Sequence, residues 1–196
     1  MVLQAKKIYD FAKQYQAEMG HSWERLFDHL TNVGFKDVYK DEKAFFDLFS
    51  KYVYEFKMYR NTRLSKHKLV NLLKANKKVY TKYMIIPSED NFVNAWKATY
   101  EFFKEENVST SNVMITKILM GLGGKTPAYD SYFMDTFCSN PSFMVNGIKF
   151  LVERLKDKFG KNSLRTQEGG NPIPWERVLD MGLWYASYIE HDEYLV

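Results

Sequence analysis

The chain has 196 residues, 45% hydrophobic and 17% aromatic, enough apolar material for one ordinary core and a single domain. Its one cysteine, Cys138, excludes an internal disulfide and a cysteine-based zinc cluster, and the four histidines at 21, 29, 67 and 191 show neither HxxxH nor HExxH spacing, so no metal and no cofactor is expected. The net charge is only +4, the start Met1-Val-Leu-Gln-Ala-Lys-Lys7 lacks the apolar stretch of a signal peptide, and no run approaches the roughly 20 apolar residues of a bilayer span, so a cytoplasmic protein with no membrane role is expected.

Apolar residues recur at three and four along nearly the whole chain, which predicts helices. Leu3, Ile8, Phe11, Ala12 and Tyr15 share one face of a first helix. Ser22 is placed to cap Trp23–Val33, and Gly34 to stop it. Asp41 caps a helix running from Glu42 to about Arg60, with Phe45, Phe49, Tyr52, Val53 and Phe56 as a wide apolar stripe.

After Ser65 a shorter helix carries Leu69, Val70, Leu72 and Leu73, and the β-branched run Val79–Ile86 reads equally as an extended connector ending at Pro87. Ser88, with Glu89 and Asp90, starts a helix whose inward face is Phe92, Trp96, Tyr100 and Phe103. A helix from Ser109 or Ser111 ends at Gly121, and another begins at Thr126 or Pro127. Ser142–Phe159 stops at Gly160, residues 161–174 form a loop, and Trp175 to about Ile189 is the last helix. Roughly seven to nine helices in one orthogonal all-α domain are the expected architecture.

Charge is unevenly distributed. Lys51–Tyr83 holds ten Lys/Arg, among them Lys66, Lys68, Lys77 and Lys78, against the single acid Glu55, which leaves the rest of the chain acidic. Tyr52, Tyr54, Tyr59, Tyr80 and Tyr83 are interleaved with these cations. Cations for phosphates and rings for bases are what a surface facing nucleic acid needs; a solvated helix face is the plain alternative.

The segment Leu119-Met-Gly-Leu-Gly-Gly-Lys-Thr-Pro127 sets three glycines within four residues between two helical runs. Such a turn passes close to something or takes positive φ. It resembles the helix-hairpin-helix element of DNA-repair proteins, Leu-Pro-Gly-(Val/Ile/Leu)-Gly-x-Lys-Thr-Ala: Leu119, Gly121, Leu122, Gly123, Lys125 and Thr126 match, and Met120 and Pro127 depart. In that element glycines admit a phosphate to the backbone and N–H groups at the second helix's start point at the anion. The resemblance thus implies that Gly121, Gly123, Gly124 and Thr126 contact DNA.

In the helix-hairpin-helix superfamily of base-excision DNA glycosylases the lysine of this pattern can serve as the attacking amine, with an aspartate beyond the second helix assisting; the corresponding stretch here, Phe143-Met-Val-Asn146, contains none, and Asp130 comes from a second register of the match. The resemblance implies Lys125 as nucleophile or charge stabiliser and Asp130 as its acid/base partner, the aspartate falling in Pro127-Ala-Tyr-Asp130-Ser-Tyr132, which is similar to a segment of divergent relatives. Trp175-Glu-Arg-Val-Leu-Asp-Met-Gly-Leu-Trp184 is similar to a C-terminal helix in those relatives. Read without the resemblance, Arg177 and Asp180 are a helix-surface pair. The expected function is DNA binding with removal of a damaged base after nucleotide flipping. The alternative is a non-enzymatic module whose ring-rich surface binds another protein.

Overall fold

A computed structural model describes residues 5–19, 21–60, 62–128, 141–160 and 163–193, with side chains left undescribed at 141–147 and 190–193. The described residues form nine α-helices and one 3₁₀ turn around one hydrophobic cluster, with no strand beyond an isolated bridge. The all-α class expected from periodicity is what the chain adopts.

Helix α1 (Ala5–Glu18) buries Ile8, Tyr9 and Ala12, and α2 (Ser22–Val33) buries Trp23, Leu26, Phe27 and Leu30. Ser22 does not cap α2: it lies inside the first turn, and His21 holds the cap position without a capping hydrogen bond. A 3₁₀ turn (Val38–Asp41) leads into α3 (Glu42–Glu55), whose start is capped by the Asp41 carboxylate accepting from the Ala44 N–H at 3.1 Å. Phe45, Phe49 and Tyr52 stack edge to face down its inner side, with centroids 5.8 and 5.7 Å apart. The helix stops at Glu55, short of Arg60, because Lys57 takes φ +54° and breaks the ladder.

Helices α4 (Lys66–Ala75) and α5 (Lys77–Ile85) are separated by Asn76 alone. The segment that also read as a connector is therefore helical. Tertiary contact overrides its β-branched composition, since Tyr80, Tyr83 and Met84 are buried and Tyr80 shares a 2.7 Å hydrogen bond with Thr99 of α6 (Glu89–Glu105). On α6 the inward row is Asn91, Ala95, Thr99 and Phe103, so Phe92 and Trp96 are only half-buried and Tyr100 is exposed. Ser88 caps as expected, Ser65 caps the helix that follows it, and of the two candidate starts it is Ser111 that caps; the hydroxyls of Ser65, Ser88 and Ser111 accept from the N–H three residues on at 3.2, 3.3 and 3.2 Å.

Helix α7 (Asn112–Gly121) runs through the core, and α8 (Pro141–Phe159) and α9 (Trp175–Glu193) complete the described elements. The most extensive helix pair is α1 against α9. Gly182 permits it: a Cβ there would lie 2.3 Å from the Ile8 carbonyl oxygen. Between α8 and α9, residues 163–174 double back through a bridge of Arg165 with Pro172. Two buried carboxylates of α2 hold that loop. Asp28 accepts from the Thr166 hydroxyl (2.6 Å), the Gly169 N–H (3.0 Å) and the Asn171 amide (2.7 Å), and Glu24 accepts from the Gln167 N–H at 2.8 Å.

Candidate functional site

The glycine turn follows directly from the end of α7. The N–H groups of Gly123 and Gly124 both donate to the Met120 carbonyl, at 3.3 and 2.7 Å, and so finish the helix rather than face outward. The glycines are sealed. A Cβ on Gly121 would meet the Tyr52 ring at 2.6 Å, one on Gly124 (φ +67°) the Trp23 ring at 2.6 Å, and Gly123 faces Phe35. Thr126 is buried as well. The close approach that three glycines announce is real, but it is made by aromatic side chains of α2, of α3 and of the turn between them, and the Gly123 and Gly124 amides are spent inside the protein. Gly121, Gly123, Gly124 and Thr126 thus lack the exposure that a DNA contact requires.

Beyond Pro127, the Ala128 N–H donates to the Asp180 carboxylate at 2.9 Å. Asp180 in turn pairs with Arg177 one turn earlier on α9. Both are buried, with side chains 7% and 3% exposed, so the expected helix-surface pair is a core pair instead. Arg177 lies over the rings of Tyr15, Trp23 and Phe56 at 5.2, 5.1 and 5.7 Å, and donates to the Tyr15 hydroxyl at 3.2 Å. Burial works against its charge, but Tyr15 and Asp180 outweigh that and hold the guanidinium above its ordinary value. Desolvation raises the Tyr15 and Tyr52 phenols, with Arg177 pulling the other way. Met120 completes the link, its carbonyl accepting from the Trp23 indole at 3.1 Å. The two segments that echo the repair-enzyme pattern, 119–128 and 175–184, therefore meet in space, as packing.

Lys125 alone of the turn is exposed. It borders a groove of about 500 Å³ floored by Phe92, Val93, Ile148 and Val152, where Lys125, Lys149 and Lys156 are balanced by Glu89, Glu153 and Glu176. Asp130, and the helix expected from Thr126 or Pro127 onward past residue 128, lie outside the described residues.

The basic block divides in two. Lys66 pairs with Asp47 at 2.9 Å, Lys74 and Lys77 approach Glu42 at 3.8 Å, Lys77 also covers the Tyr39 ring, and Lys68 donates to the Glu106 carbonyl. Lys78 is exposed. Tyr52, Tyr80 and Tyr83 are core residues, which removes three of the five rings expected to stack on bases. The other half is different in kind. Lys51, Lys57, Arg60 and Arg63 are exposed and in no ion pair among the described residues, and Tyr54 between them is 75% exposed. They occupy the end of α3 and the turn after it, where the helix dipole favours cations. Lys57 and Arg63 both hold left-handed φ, at +54° and +58°, a conformation costing a residue with a Cβ roughly 1–2 kcal/mol.

Alongside lies a second groove of about 860 Å³ between α2 and α3, lined by Ser22, Arg25, Asp47, Lys51, Tyr54, Glu55, Tyr59 and Lys66. The sequence marks Ser22 only as a cap and Arg25 not at all; their one joint signal is an i, i+3 spacing on one face of α2. The described residues contain no cluster able to hold a metal ion, and none of their helices is long and apolar enough to cross a membrane. No family model, no curated protein and no solved structure matches this chain.

Proposed function

We propose that this all-α chain binds nucleic acid without transforming it, through the end of α3 and the 56–63 turn. The observation that carries the reading is the group Lys51, Lys57, Arg60 and Arg63, exposed, in no ion pair among the described residues and close along the chain to the open ring of Tyr54. Phosphates take the cations and an unstacked base takes the ring. Left-handed φ at two of these cations supports the assignment, because a turn made only for connection would be cheaper with Gly or Asn there. Base removal is no part of the proposal, since the Gly123, Gly124 and Ala128 amides are occupied internally.

The test is a fluorescence titration of single- and double-stranded DNA at increasing salt. Affinity should fall linearly on a log–log plot, and Arg60→Gln or Arg63→Gln should each lower the slope by about one. Absence of binding at low salt sinks the proposal. A protein-interaction module is the second reading, favoured by the groove beside Lys125, whose apolar floor and charge-balanced rim suit a peptide better than a polyanion. Binding of that kind would survive salt that strips nucleic acid away.

A further inference from the structure

We propose that the groove between α2 and α3 seats one phosphate of a single-stranded nucleic acid at the N-terminus of α2, with the adjoining base against Tyr54. The inference rests on the nucleic-acid reading above and gives it a specific contact.

Helix α2 has 12 residues, and its first N–H groups have no acceptor within the helix. No side chain caps it. Ser22, in that first turn, is only 6% exposed, lines the groove, and its hydroxyl makes no hydrogen bond among the described residues. A buried hydroxyl without a partner lowers stability, and one at a helix start beside a groove is satisfied when an acceptor arrives from outside. Glu24 does not fill that role: its carboxylate is turned to the Gln16 amide and the Gln167 N–H.

Arg25 follows one turn later on the same face, and Lys51 and Lys66 complete the cations of the groove. The groove also holds the acids Asp47 and Glu55, Asp47 engaged by Lys66 at 2.9 Å and Lys43 at 3.4 Å, while Arg25 is shared with Glu168 at 3.0 Å. A lining charged both ways suits a nucleotide more than a bare anion: phosphate oxygens meet the cations and hydroxyl, and base N–H groups meet the carboxylates. Tyr54 supplies an open ring face at the rim.

The experiment titrates fluorescent oligothymidylate into the wild type, Ser22→Ala and Tyr54→Ala, with urea unfolding of each free protein in parallel. Ser22→Ala should weaken binding about tenfold while leaving the free protein equally or more stable, because it deletes a hydroxyl without a partner. A merely structural serine would not separate the two readouts. Tyr54→Ala should weaken binding roughly tenfold through lost stacking. If both variants bind like the wild type while Arg60→Gln still lowers the salt slope, this inference is overturned and the broader proposal stands. If the wild type itself binds nothing at low salt, both fall. Displacement by inorganic phosphate as effective as by unlabelled oligothymidylate, at equal phosphate concentration, would mark a free-phosphate site and overturn the inference too.

Discussion

The Ala128 N–H donates to the Asp180 carboxylate at 2.9 Å, so a side chain of the last helix accepts from the backbone just beyond the glycine turn. Asp180 also balances the buried Arg177. Asp180→Ala should therefore lose about 3–5 kcal/mol of stability, as expected when a buried charge is left without its partner. Asp180→Asn keeps an acceptor for Ala128 and should lose less. Urea denaturation reads both, and an Asp180→Ala variant as stable as the wild type would show that Arg177 is not held by this pair.

Gly182→Ala tests the closest helix crossing. In an open helix the change stabilises by roughly 1 kcal/mol through propensity. Here the new Cβ would meet the Ile8 carbonyl oxygen at 2.3 Å, and backbone cannot step aside as a side chain can. A net loss of about 1–3 kcal/mol is expected, seen as a lowered melting temperature. A raised melting temperature would mean that α1 and α9 separate easily.

Asp47 is held below the ordinary carboxylate value by hydrogen bonds from Lys66 and Lys43. Its folded-state pKa is depressed, so the stability it contributes is present above the unfolded value and is lost as pH falls through the folded one. Both partners are exposed, and the effect on unfolding should be small. Carbon-13 NMR of the carboxyl should show a lowered midpoint that returns toward the ordinary value in Lys66→Ala. An unchanged midpoint in that variant would remove Lys66 as the cause.

Lys125→Ala separates the present proposal from the repair-enzyme expectation. Because Lys125 borders the charge-balanced groove and not the α3 end, nucleic-acid affinity should change by less than about twofold. Borohydride in the presence of damaged-base oligonucleotides should trap no adduct. A trapped adduct that vanishes in Lys125→Ala would restore amine catalysis and displace the binding-only reading.

Local signals were the legible part of this fold. Ser65, Ser88, Ser111 and Asp41 cap where their short polar side chains and the following apolar rows place them, because a cap depends on a few neighbouring residues. What depends on distant partners was not legible. Arg177 and Asp180 look like any surface pair until Tyr15, Trp23 and Phe56, far off in sequence, enclose them. The glycines announced a close approach without saying whether rings or phosphates make it. On α6 the bulky aromatics drew attention to 92, 96 and 100, while the tight contact with α5 selects Ala95 and Thr99, which are small enough to fit. Ser22 was legible only as a cap, since nothing in the sequence shows that His21 takes that position.

Asp28 carries a further lesson about tolerance to change. Its carboxylate serves as a surrogate turn partner for a whole loop, satisfying donors at 166, 169 and 171 at once, while Gly169 stands too near to admit even a methyl group. A saturation library should consequently find this acidic position as unforgiving as any leucine of the interior, with asparagine the least damaging replacement and every aliphatic one severe.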